Sequence, residues 1–86
     1  MPSNKRAQSA VHSYFKKYAK KYPSTSFGQH KVTEVEIIKQ NEIKRNFVAL
    51  EAYLTLGDGS LRKIYATLEK RALIWKFVSW ENPEGK

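Results

Sequence analysis

Few residues in this chain have the type and spacing that chemistry needs. His12 and His30 are the only imidazoles, no HExxH-like spacing surrounds them, and a three-ligand zinc site would have to recruit carboxylates. Glu34 and Glu36 stand two apart in the β-branched run Val32-Thr-Glu-Val-Glu-Ile-Ile38. Paired carboxylates can do acid–base work or hold a hard metal ion. Alternation with Val35 and Ile37, however, places this pair on the solvated face of a strand. His12 lies beside Val11 with no acid near it in sequence, and reads as a boundary or surface histidine rather than a base in a pocket. His30 falls in or beside a loop, and Ser24, Thr25 and Ser26 read as loop residues rather than a nucleophile motif. Gly57-Asp58-Gly59 is the only glycine cluster, and its neighbours make it a turn rather than a phosphate cradle. With no cysteine, disulfides, thiolate metal sites and thiol chemistry are excluded. The expectation is a chain without catalytic residues, metal or cofactor, and without a small-molecule substrate.

The charge is the stronger signal. The 86 residues hold 16 Lys+Arg against 8 Asp+Glu, a net charge of +8. Residues 1–22 carry Lys5, Arg6, Lys16, Lys17, Lys20 and Lys21 and no acid, so most of the excess lies on one segment. Such a cluster can meet phosphates or another anionic surface, and interleaved tyrosines can stack on bases. It can also be the solvated face of an amphipathic helix, since lysine is a less specific phosphate ligand than arginine.

The elements that must position these residues follow from periodicity. Ala7, Val11, Tyr14, Tyr18 and Tyr22 recur every three to four residues, widened by Ala10, Phe15 and Ala19, which predicts a helix over about 4–22. Ser3 is its N-cap, Lys16 to Lys21 complement its dipole, and Pro23 ends it. Residues 23–29 form a connection. Four strands are then predicted, over about 30–40, 46–56, 61–70 and 73–81. Asn41 to Asn46 reads as a polar turn region with Ile43 inside it, which leaves open a first strand that runs further before turning; Gly57 to Ser60 reads as a hairpin turn with positive-φ residues, and Arg71-Ala72 as a second short turn. Val48, Leu50, Ala52, Leu54 and Leu56 share one face of the second strand; Ile64, Ala66 and Leu68 share one face of the third. Short turns make antiparallel neighbours. The fold class is therefore α+β: one N-terminal helix packed on a curved four-stranded antiparallel meander, α-β-β-β-β, with 1–86 as a single domain.

One helix covers one face of a sheet. The other face is expected to show Phe47, Tyr53 and Tyr65 with either Trp75 or Trp80, and Trp80 is taken as the fourth interface residue. Exposed apolar patches mark interaction sites, so this face is expected to dock a second copy of the chain or a protein partner. The basic helix offers the alternative, a nucleic-acid-binding module contacting phosphates.

A leading helix followed by a four-stranded sheet resembles the cystatin-like architecture. The last hairpin resembles the end of nuclear transport factor two-like (SnoaL-type) domains, with Asp58-Gly59 at the turn, Leu68 on the next strand and then Trp75-Lys76-Phe77-Val78-Ser79. Those domains carry two further helices that wall a deep pocket, for which this chain has no room, so their catalysis is not implied. Nor is protease inhibition, because Lys39-Gln-Asn-Glu-Ile-Lys-Arg45 lacks the Q-x-V-x-G wedge of cystatins. The resemblance implies a binding or assembly domain, often dimeric through the open sheet face.

A chain of this mass buries roughly 64% of its unfolded surface, which allows one modest core. With 41% apolar and 28% charged residues it reads as globular. No apolar run approaches the roughly 18 residues of a membrane span. Met1 to Ala10 is polar and lacks the apolar core of a secretory signal, so the expected setting is the cytoplasm, unless the chain is a domain of a longer one.

Overall fold

The first helix, α1 (Asn4–Lys21), starts at Ser3, whose Oγ accepts the Arg6 N–H at 3.1 Å. In the computed structural model, which describes residues 1–83, the helix buries Ala7, Val11, Phe15 and Ala19, one residue per turn on a single stripe. Tyr14 and Tyr18 flank that stripe half-buried, while Tyr22 lies past the last turn and is exposed. Tyr22 donates its N–H to Tyr18 O, and Pro23 then blocks another turn.

The connection is more ordered than its composition implies. Ser26–Gln29 form a one-turn helix, α2, capped by Thr25, whose Oγ1 accepts the Gly28 N–H at 3.2 Å and donates to Tyr22 O at 2.7 Å. This turn inserts Phe27 into the core beside Phe15, with ring centroids 4.7 Å apart. Gly28 makes the fit feasible: a Cβ there would run into Tyr22 O and lie 2.6 Å from Pro23 Cα.

Four strands follow: β1 (Val32–Lys44), β2 (Phe47–Leu56), β3 (Leu61–Arg71) and β4 (Ile74–Glu81). They form one antiparallel sheet in the order β1-β2-β3-β4, so the α+β meander expected from periodicity is the fold. β2 lies inside the sheet and alternates most cleanly, burying Val48, Leu50, Ala52, Leu54 and Leu56. Its partners on β3 are Leu68 for Val48, Ala66 for Leu50 and Ile64 for Ala52, all buried.

Three details differ from expectation, each for a local reason. β1 runs to Lys44 rather than ending near 40, the longer of the two readings, because irregularities between Val32 and Glu34, Ile37 and Lys39, and Glu42 and Lys44 let a non-alternating sequence stay paired with β2. The reversal that follows is Arg45-Asn46, with Asn46 at φ 66°. The last hairpin turns at Ala72-Leu73, one residue later than Arg71-Ala72, and Ala72 takes φ 55°. In the β2–β3 hairpin only Gly59 is left-handed, at φ 87°; Leu56 closes the loop by donating its N–H to Ser60 O at 2.9 Å. Of the polar tail, residues 84–86 lie outside those described.

Asp58 fastens the β2–β3 turn, accepting the Ser60 hydroxyl at 2.6 Å and the Ser60 N–H at 3.0 Å. The hydroxyl first, then the amide, hold its carboxyl below the ordinary 3.8. A depressed carboxyl stabilises the fold above its unfolded pKa, and that contribution disappears as pH falls through the lower folded value. Ser60→Ala is expected to move the Asp58 titration, followed by carboxyl chemical shift, back toward 3.8; an unmoved titration excludes the Ser60 hydroxyl as its cause. Substitution of the glycines gives a second check. Gly28→Ala is expected to cost about 1–3 kcal/mol in urea unfolding, as overpacking does. Gly57→Ala is expected to cost far less, because its Cβ meets nothing nearer than Lys31 O at 3.6 Å.

Candidate functional site

The six cations of the N-terminal segment are all exposed, but they do not form one patch. They wrap the outer ridge of α1 and fall to both sides of it. Lys16 and Lys20 lean toward β1, where they line a small cavity of about 210 Å³ with His12, Phe15, Ala19, Gly28, Lys31 and Val32. The His12 Nε2–H donates to the Val32 carbonyl at 3.1 Å, so this imidazole ties α1 to the start of β1. Lys21 sits over the Tyr22 ring, 5.6 Å from its centroid.

Lys5, Arg6 and Lys17 lean the other way, over an open groove of about 940 Å³ between α1 and the edge strand β4. Tyr14, Trp75 and Phe77 line it, Ser9 and Ser13 offer hydroxyls, and Lys76 stands on the β4 side. Among the described residues no carboxylate lines the groove. Among the described residues the ion pairs are His30–Asp58, Lys63–Glu51 and Arg71–Glu69, so no carboxylate neutralises a cation of α1.

The register explains why acids are absent there. Glu34, Glu36, Glu51, Glu69 and Glu81 face away from the helix, opposite Thr55, Tyr53, Tyr65, Phe47 and Tyr65 respectively. The same outer face carries Lys39 opposite Glu51, Lys63 opposite Tyr53 and Lys76 opposite Glu69, so its charge is mixed. Lys63 lies 3.3 Å from Glu51, and the hydrogen bond to that carboxylate raises its amine above 10.5.

Of the four aromatics expected on the outer face, three are there. Phe47 lies beneath Lys44 Nζ at 4.5 Å, Tyr65 beneath Lys63 Nζ at 5.4 Å, and Tyr53 is 37% exposed. Trp80 is not. It packs on the helix side against Phe15, Tyr18 and Phe27, and its Nε1–H donates to Tyr14 Oη at 3.2 Å. Trp75 is on the helix side too, although the two tryptophans are five residues apart and strict alternation would separate them. The cause is a bulge: Thr67 pairs with Ser79 and Leu68 with Phe77, so Val78 is an extra residue that reverses the parity of β4.

The α1 cations lie on the helix expected for them, whereas the β4 wall of the groove was not anticipated. The odd spacing of Trp75 and Trp80 was the available signal: two large aromatics that both seek burial at an odd separation require a bulge between them. Among the described residues no group of three or more His, Asp or Glu is placed to hold a metal ion, and no helix is long and apolar enough to cross a membrane. Neither a protein-family model, nor a curated protein, nor a solved structure matches the chain.

The position of Trp80 is checked by stability. Trp80→Ala is expected to cost about 3 kcal/mol in chemical denaturation, as loss of a packed aromatic does, and Tyr53→Ala less than about 1 kcal/mol, as at an exposed position. Equal costs at the two positions would remove Trp80 from the core.

Proposed function

We propose that this chain is a non-catalytic binding module that holds a nucleic acid through the phosphate-facing cations of α1. The observation that carries the reading is the electrostatic partition of the fold. Lys5, Arg6, Lys16, Lys17, Lys20 and Lys21 occupy one helix with no described carboxylate against them, while five of the seven described acids lie on the opposite face of the sheet. A solvated helix needs some charge, but it gains nothing from like charges at one-turn spacing, as at Lys16–Lys20 and Lys17–Lys21. A polyanion relieves that repulsion and releases its own counterions on binding.

The alternative, docking of a second copy or a protein partner through the outer sheet face, has less support. Its aromatics are separated rather than contiguous, two of them lie under lysines, and Trp80 is not among them. Arginine is sparse on α1, where Arg6 stands alone, which fits phosphate contact without base-edge reading.

The test is the salt dependence of oligonucleotide affinity, measured by fluorescence anisotropy with the full chain. The logarithm of affinity is expected to fall linearly with the logarithm of salt concentration, with a slope near −0.7 per phosphate neutralised on a single strand. Lys17→Gln and Lys20→Gln are each expected to weaken binding of all sequences alike and to flatten the slope by roughly one contact. Affinity that ignores salt, or survives both substitutions unchanged, rules out the helix as the contact surface.

A further inference from the structure

The groove between α1 and β4 holds a ring that packs against the core yet keeps part of its surface exposed. Tyr14 stacks on Phe77 with centroids 4.0 Å apart and planes 12° from parallel, and Phe15, Tyr18, Phe27 and Trp80 make edge or tilted contacts among themselves. Trp75 lines the same groove, partly exposed, yet among the described residues it makes no aromatic contact and lies under no lysine or arginine. Beside it, Leu73 is 84% and Ile74 57% exposed. Lys5, Arg6 and Lys17 overhang the same space from the helix.

We infer that this groove is a base-stacking subsite for single-stranded nucleic acid, in which the Trp75 indole takes the face of an unpaired base while the α1 cations take the flanking phosphates. The inference rests on the nucleic-acid reading above and narrows it to one strand class. A duplex buries both faces of its bases in the stack and can offer Trp75 only an edge or the backbone, whereas a single strand presents π-faces and phosphates alternately along its length. The groove presents the matching pair, a partly exposed aromatic surface and, among the described residues, positive charge with no carboxylate beside it. Ser9 and Ser13 lie between the cations, where their hydroxyls can donate to phosphate oxygens without adding charge.

The experiment follows intrinsic tryptophan emission and affinity together, with oligothymidylate and with a mixed-sequence duplex of equal length, at physiological salt. Oligothymidylate is expected to quench emission and to bind about ten-fold or more tightly than the duplex. Trp75→Leu is expected to abolish the quenching and weaken oligothymidylate about ten-fold while leaving duplex affinity and the salt slope unchanged. Trp75→Phe, which keeps a ring, should hold affinity within about three-fold of wild type, and that recovery separates stacking from a merely structural role. If neither oligonucleotide binds, the nucleic-acid reading itself is lost. If both bind equally and Trp75→Leu changes nothing, phosphate contact by α1 stands and the stacking subsite is overturned. Vesicles of phosphatidylserine and phosphatidylcholine form the third arm: a blue-shifted emission on vesicles, with no oligonucleotide quenching, would reassign Leu73, Ile74 and Trp75 to insertion into an anionic bilayer and overturn the inference.

Discussion

One helix has to cover one face of a four-stranded sheet, and it is too narrow to do so. A helix with its side chains is about 10 Å across. Four strands span three gaps of about 4.8 Å, and the outer strands carry side chains beyond that. α1 meets the difference by burying its Ala7–Val11–Phe15–Ala19 stripe on the sheet and leaving the flank beside β4 to be filled by rings. Small residues at positions 7 and 19 let the helix backbone approach closely, and Phe15 reaches Phe27, Phe77 and Trp80 at once. The aromatic cluster is therefore the wedge through which helix and strand meet, with Tyr14 stacked on Phe77 and accepting from Trp80. The groove is the part of that gap which the wedge does not close.

The charge distribution follows from the same geometry. A strand at the centre of the sheet shows one face to the helix and one to water, so its acids can stand only on the water side without the cost of burial. The register obeys this for every strand carboxylate except Glu42, near the end of edge strand β1. Basic residues are held on the opposite side of the molecule by the helix. Neither surface alone gives the chain its partition; the partition comes from stacking a wholly basic amphipathic helix on a sheet whose outer face is mixed. The β2–β3 turn, where Asp58 is occupied by Ser60 and lies 3.8 Å from His30, brings no carboxylate into the groove either.

Much of the fold was legible because the relevant signals are periodic. The helix stripe repeats at 3.6 residues, β2 and β3 alternate without interruption, and Gly57-Asp58-Gly59-Ser60 marks its turn by composition. What was not legible came from single-residue events with no compositional trace. Thr33, Ile38 and Ile43 are each passed over in the pairing of β1 with β2, which is how a strand can absorb the polar stretch 39–44. Ala72 adopts a left-handed conformation that nothing about alanine announces, since its Cβ disfavours it. The one-turn helix at Ser26–Gln29 depends on Thr25 capping and on Gly28 fitting beneath Tyr22, relations that exist only once the chain has folded back. Of the candidate site residues, the cations were visible as charge, while the outer-face placement of Trp80 failed because alternation was counted through a bulge that only the odd Trp75–Trp80 spacing signals.

That bulge has a consequence larger than one misplaced ring. Trp80 is fixed inward by Tyr14 Oη and by three aromatic neighbours, so the parity of the rest of β4 is measured from it. With uninterrupted alternation Val78, Lys76 and Ile74 would point inward, burying an ammonium against the core while Phe77 and Trp75 turned to the outer face. The extra residue at Val78 prevents this: Phe77 points inward to stack on Tyr14, and Trp75 enters the groove. The half-exposed Val78 is the residue displaced, and the loss of regular pairing there is offset by partial burial of Phe77 and Trp75 on the helix side. A stability optimum alone would have closed the gap with a second aromatic contact to Trp75. Trp75 packs on the core with part of its ring left exposed beside the α1 cations, so the parity of β4 sets both the packing of the core and the lining of the groove.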